Sequence, residues 1–156
     1  MLLKAWLPSL IWLMLIALES TNWFSSDNTS RILYPILHFL TRVSWQRFAV
    51  WNYYIRKTGH IVGYFVLSWL LFNSLRASLP SQAMLRWSLR WARISFLFSV
   101  MVATLDEWHQ TYLASRTGRW QDVVLDSSAA LGAQALMFLW IRFGRRAAIP
   151  AATPPR

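Results

Sequence analysis

A run of twelve uncharged residues, 94–105, ends directly at the acidic pair Asp106 and Glu107. An α-helix rises about 1.5 Å per residue, so this run alone is too short to cross a hydrocarbon layer of about 30 Å. A membrane helix built on it must therefore carry charged residues into the bilayer. The long side chain of Arg93 can reach back to the interface, whereas short carboxylates cannot. We therefore expect the acidic pair to lie inside the membrane boundary.

The composition favours a bundle of membrane helices. The chain has 156 residues, of which 56% are hydrophobic and 16% aromatic, which is too apolar for a soluble domain of this length. The net charge is +10, but the basic residues lie between apolar segments and form no single stripe. This pattern favours contact with anionic membrane lipids and argues against a nucleic-acid partner. The chain has no cysteine, which excludes disulfides and thiolate chemistry.

Four apolar segments predict four transmembrane helices in one all-α membrane bundle. They are residues 1–18, about 58–75, about 94 to 110 or 112, and about 123–141. The first segment resembles a secretory signal peptide, but residues 17–20 form a poor cleavage site, so we expect an uncleaved span. We expect a single domain over residues 1–146 and a disordered, proline-containing tail over residues 147–156.

Residues 31–56 are apolar but interrupted by polar residues, which predicts an amphipathic helix in the membrane interface. His38, Arg42 and Gln46 recur every four residues on one helical face. The alternative is a further span. It would bury Arg42 and Arg47 near the bilayer centre, at about 2.5 kcal/mol or more each. We therefore predict one interfacial helix over this segment.

Alternation of the four spans brings polar residues together at one membrane face. The start of the second span, the end of the third and the start of the fourth lie on the same side. The residues that converge are Lys57, His60, Asp106, Glu107, Gln110, Arg116, Asp122 and Asp126. A cytoplasmic amino terminus places nine Lys and Arg inside and seven outside, of 16 in total. We therefore expect a multi-pass protein of the bacterial inner membrane, with cytoplasmic termini and an outward-facing cluster.

The cluster has a structural and a ligand-binding interpretation. Buried carboxylates stay charged only when they are paired, and Lys57, His60, Arg116 and Arg119 are the available partners. In the structural interpretation, this network has no ligand and only fixes how the helices assemble. Alternatively, its basic members can bind an anionic headgroup, since ionisable residues inside membranes commonly mark ligand sites.

Catalysis is a third interpretation, with Glu107, His60 and Asp106 as candidate catalytic residues. A carboxylate such as Glu107 beside His60 or His109 can act as a general base, and histidine with carboxylates can hold a divalent metal. The segment from Glu107 to Gln110 is not an HExxH motif, and its histidine and glutamate lack the spacing that places two ligands on one helix face. We therefore expect no metal and no cofactor.

Several polar and glycine-containing blocks occur in a distinctive order. They are Arg56-Lys57-Thr58-Gly59-His60, Gly63-Tyr64-Phe65, Asp106-Glu107-Trp108-His109-Gln110, Arg116-Thr117-Gly118-Arg119, and the segment from Asp122 to Asp126. Over about residues 55–140 the chain resembles the VanZ-like family of small bacterial membrane proteins. The resemblance implies that the eight converging residues are the family's polar signature. One departure is Ala129, where the family commonly has glycine.

The founding member of that family is associated with low-level resistance to the glycopeptide antibiotic teicoplanin. We therefore predict a site for a cell-envelope component, such as a lipid-linked cell-wall intermediate or a lipid-bearing glycopeptide. Lys57, Arg116 and Arg119 are expected to meet its anionic groups, and the acids are expected to orient these bases. The predicted ligand-binding set is Lys57, His60, Tyr64, Asp106, Glu107, Gln110, Arg116, Arg119, Asp122 and Asp126. The alternatives are a membrane-embedded hydrolase or transferase acting on an envelope lipid, and a structural subunit without a ligand.

Overall fold

A computed structural model describes residues 2–78, 87–114 and 116–144. The described residues form helices with short connections and contain no strand, which confirms the predicted all-α class. A short 3₁₀ helix spans Asn22–Phe24. The α-helices are α1 (Leu2–Glu19), α2 (Ser26–Thr41), α3 (Trp45–Ala77), α4 (Leu89–Gln110) and α5 (Trp120–Gly144). The predicted tail, residues 147–156, lies outside the described residues.

Three of the described helices are long and apolar enough to cross a membrane. They are α1, α3 and the Trp120–Phe143 part of α5. Helix α4 matches the predicted third span in position, but Arg90, Arg93, Asp106 and Glu107 make it more polar than these three. The protein is thus a multi-pass, membrane-type helical bundle with three candidate spans among the described residues.

Helix α1 runs antiparallel to α3. Trp6 Nε1 donates a hydrogen bond of 2.8 Å to Ser78 Oγ near the end of α3, and Trp12 Nε1 donates one of 2.8 Å to the carbonyl of Gly63 further back. The carboxyl end of α1 therefore lies beside the middle of α3. Glu19, where α1 ends, lies on the same side of the bundle as the first half of α3.

Helices α4 and α5 complete the bundle. Along α3, Tyr64 contacts Asp106 near the end of α4, whereas Phe72 contacts Trp91 near its start, so α3 and α4 are antiparallel. Helix α5 runs parallel to α3. Going along α3, Lys57, His60 and Ser68 contact residues progressively further along α5, which are Asp122, Asp126 and Gln134. The start of α5 and the end of α4 therefore meet beside the first half of α3, as the alternation predicted.

The prediction of one interfacial helix over residues 31–56 was wrong. Helix α2 ends at Thr41, where Arg42 adopts a left-handed conformation with φ of 55° and donates its backbone N–H to the carbonyl of His38. Ser44 then precedes a new helix, so residues 45–56 are the first three turns of α3. The four-residue recurrence of polar side chains therefore crosses a helix boundary and does not describe one face. Only α2 remains as a candidate interfacial helix.

The amino-terminal extension of α3 packs against α2. Phe48 is buried and contacts Tyr34, while Asn52 donates hydrogen bonds to the hydroxyls of Ser26 and Ser30 at 3.0 and 3.1 Å. The side chain of Ser25 caps the start of α2. These contacts hold α2 across the end of the bundle at which the polar residues lie.

The apolar core lies between α1, α3, α4 and α5 and begins directly next to that end, at Ile16 and Tyr64. One buried group includes Ile16, Leu67, Leu71 and Ala103, and a second centres on Phe72. Many large apolar side chains on the outer helix faces are exposed, as expected for surfaces that contact lipid.

The GxxxG pair Gly59 and Gly63 does not bring two helices together. A Cβ atom placed on either glycine meets nothing within 4 Å in the described part of the chain. Close packing occurs at alanines instead: Ala130 and Ala133 of α5 are fully buried, and Ser68 of α3 donates a hydrogen bond to the Ala130 carbonyl.

Candidate functional site

The predicted polar residues gather where α3, α4, α5 and the 116–119 segment meet. At the outer edge, the Lys57 ammonium forms an ion pair with the Asp122 carboxylate, and both side chains are largely buried. The ammonium also lies 5.7 Å from the centre of the Tyr53 ring. Lys57 is therefore held in place by one acid and one aromatic ring.

One helical turn deeper, His60 contacts Asp126. The His60 Nδ1 and Asp126 Oδ2 atoms are 3.1 Å apart. Asp126 is completely buried, and its Oδ1 atom has no hydrogen-bond partner among the described residues. Lys57 and His60 are three residues apart on α3, and Asp122 and Asp126 are four apart on α5. Each spacing is about one helical turn, so the two pairs face each other along these parallel helices.

Asp106 is bound by side chains from two helices. Its Oδ2 atom accepts a hydrogen bond of 3.1 Å from the hydroxyl of buried Tyr64, and its Oδ1 atom accepts one of 3.2 Å from Gln110 Nε2. Asp106 and Gln110 are four residues apart on α4, a spacing that places them on one helical face and allows this contact. Both donors are neutral, so within the described chain this acid is hydrogen-bonded but has no salt bridge.

Glu107 is held by the backbone of the segment between α4 and α5. Its Oε2 atom accepts a hydrogen bond of 2.7 Å from the backbone N–H of Arg119. Its Oε1 atom is buried and has no hydrogen-bond partner among the described residues. Gly118 lies against the same residue: a Cβ atom on Gly118 would be 2.2 Å from the Glu107 carbonyl oxygen. The glycine therefore permits the close approach that positions this backbone donor.

The two predicted arginines differ in their surroundings. Arg116 donates hydrogen bonds to the main-chain carbonyls of Glu19 and Thr21, which ties the end of α1 to the site. Burial lowers the pKa of the Arg116 guanidinium, and the nearby positive charge of Arg56 lowers it further. The Arg119 side chain is exposed, and this residue contacts Glu107 through its backbone N–H.

Three further residues belong to this end of the bundle although the predicted set omits them. Arg56 donates a hydrogen bond of 2.6 Å to the Phe24 carbonyl, and it lies next to Lys57 in the sequence. His109 Nδ1 and Ser20 Oγ are 3.0 Å apart, so His109 faces α1 and not the acids. The charge of Arg56, directly before Lys57, could have identified it from the sequence. The contact between Ser20 and His109 could not be predicted, because it depends on how α1 packs.

Two neighbouring cavities that share lining residues open at the site. The first, here called the apolar-walled cavity, has a volume of about 240 Å³ and includes Ile16, Phe24, Leu33 and Ile55 in its lining. The second, here called the basic cavity, has a volume of about 390 Å³. Its charged or ionisable lining residues are Arg56, Lys57, His60, Arg116, Arg119 and Asp122. Four side chains line both cavities: Arg56, His60, Gln110 and Arg116.

Fold and site together define a multi-pass, membrane-type helical protein with buried acids and a basic cavity at one end. A family model described as VanZ/LLP1 matches residues 5–142, so the chain belongs to the VanZ/LLP1 family. This confirms the family to which the sequence blocks pointed. No curated protein and no solved structure matches the chain. Ligand binding by the predicted residues stays a prediction.

Proposed function

We propose that this protein binds an amphiphilic cell-envelope ligand, with the anionic head in the basic cavity and the lipid chain along the apolar-walled cavity. The observation that carries the proposal is that the two cavities share four lining residues, Arg56, His60, Gln110 and Arg116. A ligand that has both a charged and an apolar part matches this division of the lining. Cavities of this size suit a phosphate or carboxylate headgroup with the first part of a chain.

The charges of the basic cavity favour an anion. Four permanently basic side chains line it, and the lining contains one acid, Asp122, which is already paired with Lys57. Arg56 and Arg116 each use some of their N–H groups on backbone carbonyls. A guanidinium has five N–H donors, so both retain donors for a ligand. Arginine is well suited to phosphate and carboxylate groups, which it can bind through two hydrogen bonds at once.

We also propose four membrane crossings, with α4 as the third. Helix α3 ends on the side of the bundle opposite the site, and α5 begins at the site, so α4 must return the chain across the bundle. Its 22 residues give a length of about 33 Å, which matches the hydrocarbon layer. Its acids lie at the end where they meet Tyr64 and the Arg119 backbone. The distribution of basic residues supports cytoplasmic termini in a bacterial inner membrane, and therefore an outward-facing site.

Two kinds of ligand share the required chemistry. One is a lipid-linked cell-wall intermediate, in which a phosphate or diphosphate is attached to a long chain. The other is a lipid-bearing glycopeptide of the teicoplanin type, which the family's founding member suggests. Both would place an anionic group among the arginines and an apolar chain beside Leu33 and Ile55.

Binding of a polyprenyl phosphate to the purified full-length protein tests the proposal. We expect the wild type to bind it at least ten times more tightly than the uncharged polyprenol. Arg119→Gln should weaken binding about tenfold, since a hydrogen bond to a charged group contributes about 1.5–3 kcal/mol. The exposed Arg119 side chain can be changed while its backbone N–H to Glu107 remains.

The matched control is Arg93→Gln, which removes the same charge from an exposed position at the other end of α4. Its affinity should equal that of the wild type. Equal affinities for polyprenyl phosphate and polyprenol, or equal losses of affinity in Arg119→Gln and Arg93→Gln, would contradict a specific anion site.

Competition by teicoplanin distinguishes the two kinds of ligand. Only the glycopeptide interpretation predicts that the antibiotic displaces polyprenyl phosphate at similar concentrations.

A further inference from the structure

Three potential metal-ligand side chains from three different helices converge beneath the cavities. They are His60 of α3, Glu107 of α4 and Asp126 of α5, and one donor atom from each lies within 4.8 Å of the other two. Metal bonds to histidine nitrogen and carboxylate oxygen are about 2.0–2.2 Å, so two donors on opposite sides of an ion are about 4.2 Å apart. Small side-chain rotations therefore bring all three donors to bonding distance.

Two buried oxygen atoms in this group are without hydrogen-bond partners. Glu107 Oε1 and Asp126 Oδ1 have none within the described ranges, although Glu107 is 4% exposed and Asp126 is 0% exposed. A buried polar atom without a partner costs about 1–3 kcal/mol, and more when it is charged. Each carboxylate therefore has one buried oxygen atom that is available to bind an ion.

Few basic side chains form salt bridges with the acids of this group. In the described chain, the salt bridges at this site are Lys57 with Asp122 and, when the imidazole is protonated, His60 with Asp126. Arg116 contacts backbone carbonyls, and Glu107 receives a backbone N–H. Among the described residues no lysine or arginine forms a salt bridge with Glu107 or Asp126, although the charge of Arg116 acts on Glu107 from a distance. A divalent cation has the charge needed to neutralise both carboxylates.

We infer that His60, Glu107 and Asp126 form a binding site for a divalent transition-metal ion of the zinc or manganese type. One imidazole and two carboxylates suit these ions, whereas magnesium and calcium prefer oxygen donors alone. The Arg119 N–H on Glu107 Oε2 fixes the orientation of that carboxylate and leaves Oε1 for the ion. Three protein ligands leave at least one position for water or another ligand, as in open metal sites.

This inference departs from the sequence expectation of no metal, and the reason is geometric. The HExxH criterion searches for two ligands within one helix, whereas these three ligands come from separate helices. The inference does not depend on the proposed lipid ligand. His60 lines both cavities, so an ion bound to it lies beside the basic cavity, where it could also meet an anion.

Metal binding by the full-length protein in detergent tests the inference without any lipid. The protein is purified without a histidine tag, stripped with EDTA and titrated with Zn²⁺, Mn²⁺ and Mg²⁺ by calorimetry. We expect one Zn²⁺ or Mn²⁺ ion per chain and at least tenfold weaker binding of Mg²⁺. Glu107→Gln and Asp126→Asn should each weaken Zn²⁺ or Mn²⁺ binding about 100-fold or more, since even outer-sphere changes cost 10–100-fold.

The controls are His38→Gln and Asp27→Asn, which alter the same residue types on α2, outside the triad, and should leave binding unchanged. If the triad variants do not fold, the wild type alone decides: its unfolding midpoint should rise with Zn²⁺ or Mn²⁺ and not with equal Mg²⁺. Absence of stoichiometric binding by the stripped wild type overturns the inference. The inference is also overturned if His38→Gln or Asp27→Asn abolishes binding as fully as the triad variants do.

Discussion

At the scale of single residues, the site contains acids with different partners. Asp122 is paired with the ammonium of Lys57, Asp106 is hydrogen-bonded by two neutral donors, and Asp126 contacts His60. Glu107 is bound by a backbone N–H. The sequence predicted that they enter the bundle, because they lie at the ends of apolar segments. It did not predict which acid takes which partner, since that depends on the rotation of each helix about its axis.

Gly118 provides a residue-scale prediction. An alanine Cβ there would lie 2.2 Å from the Glu107 carbonyl oxygen and 2.6 Å from Thr111 Cγ2. The 116–119 segment must then shift away from α4, so we expect Gly118→Ala to reduce the free energy of unfolding by about 1–3 kcal/mol. Thermal unfolding in one mild detergent measures the change.

The matched control for this prediction is Gly132→Ala. A Cβ at Gly132 meets no described atom within 4 Å, and the residue lies inside α5. Alanine should therefore be neutral or stabilise the helix by up to about 1 kcal/mol. Equal midpoints for Gly118→Ala and wild type would show that the segment is not held against Glu107 as described.

At the scale of elements, the apolar segments of the sequence predicted where the helices lie better than where each helix begins and ends. The first, third and fourth predicted spans coincide with α1, α4 and α5, because charged or polar residues bound their apolar segments. The second predicted span began at residue 58, but α3 begins at Trp45. Polar residues between 45 and 57 suggested a separate helix, although none of them breaks a helix. The true break is at Arg42, whose left-handed conformation is uncommon outside glycine and asparagine.

The crossing by α4 is the prediction at this scale. The chain has no cysteine, so a single introduced cysteine reports its own side of the membrane. A membrane-impermeant maleimide added to intact spheroplasts should label Thr117→Cys, beside the site, and should not label Ser88→Cys, at the start of α4, until the membrane is opened. Labelling of both positions from one side would show that α4 does not cross.

At the scale of the whole molecule, α3, α4 and α5 meet at one end because α4 runs antiparallel to both, and the alternation predicted from the sequence was sufficient to expect this meeting. The contacts inside that end were not predictable. Tyr64 and Asp106 are 42 positions apart and His60 and Asp126 are 66 apart, whereas spacing arguments act within single helices. The cavities depend in addition on α2 and the end of α1, whose placement follows from packing contacts such as those of Asn52.

The central claim is that the buried acids serve a ligand or an ion and not the assembly of the fold. The most direct measurement is the thermal unfolding midpoint, in one mild detergent with excess EDTA, of the wild type, Glu107→Gln and Asp126→Asn. Each change removes a buried charge while keeping the shape of the side chain. We predict unchanged or higher midpoints, because functional sites commonly hold charge at the expense of stability. A fall equivalent to about 3 kcal/mol or more in both variants would contradict the claim and show that the carboxylates complete structural pairs.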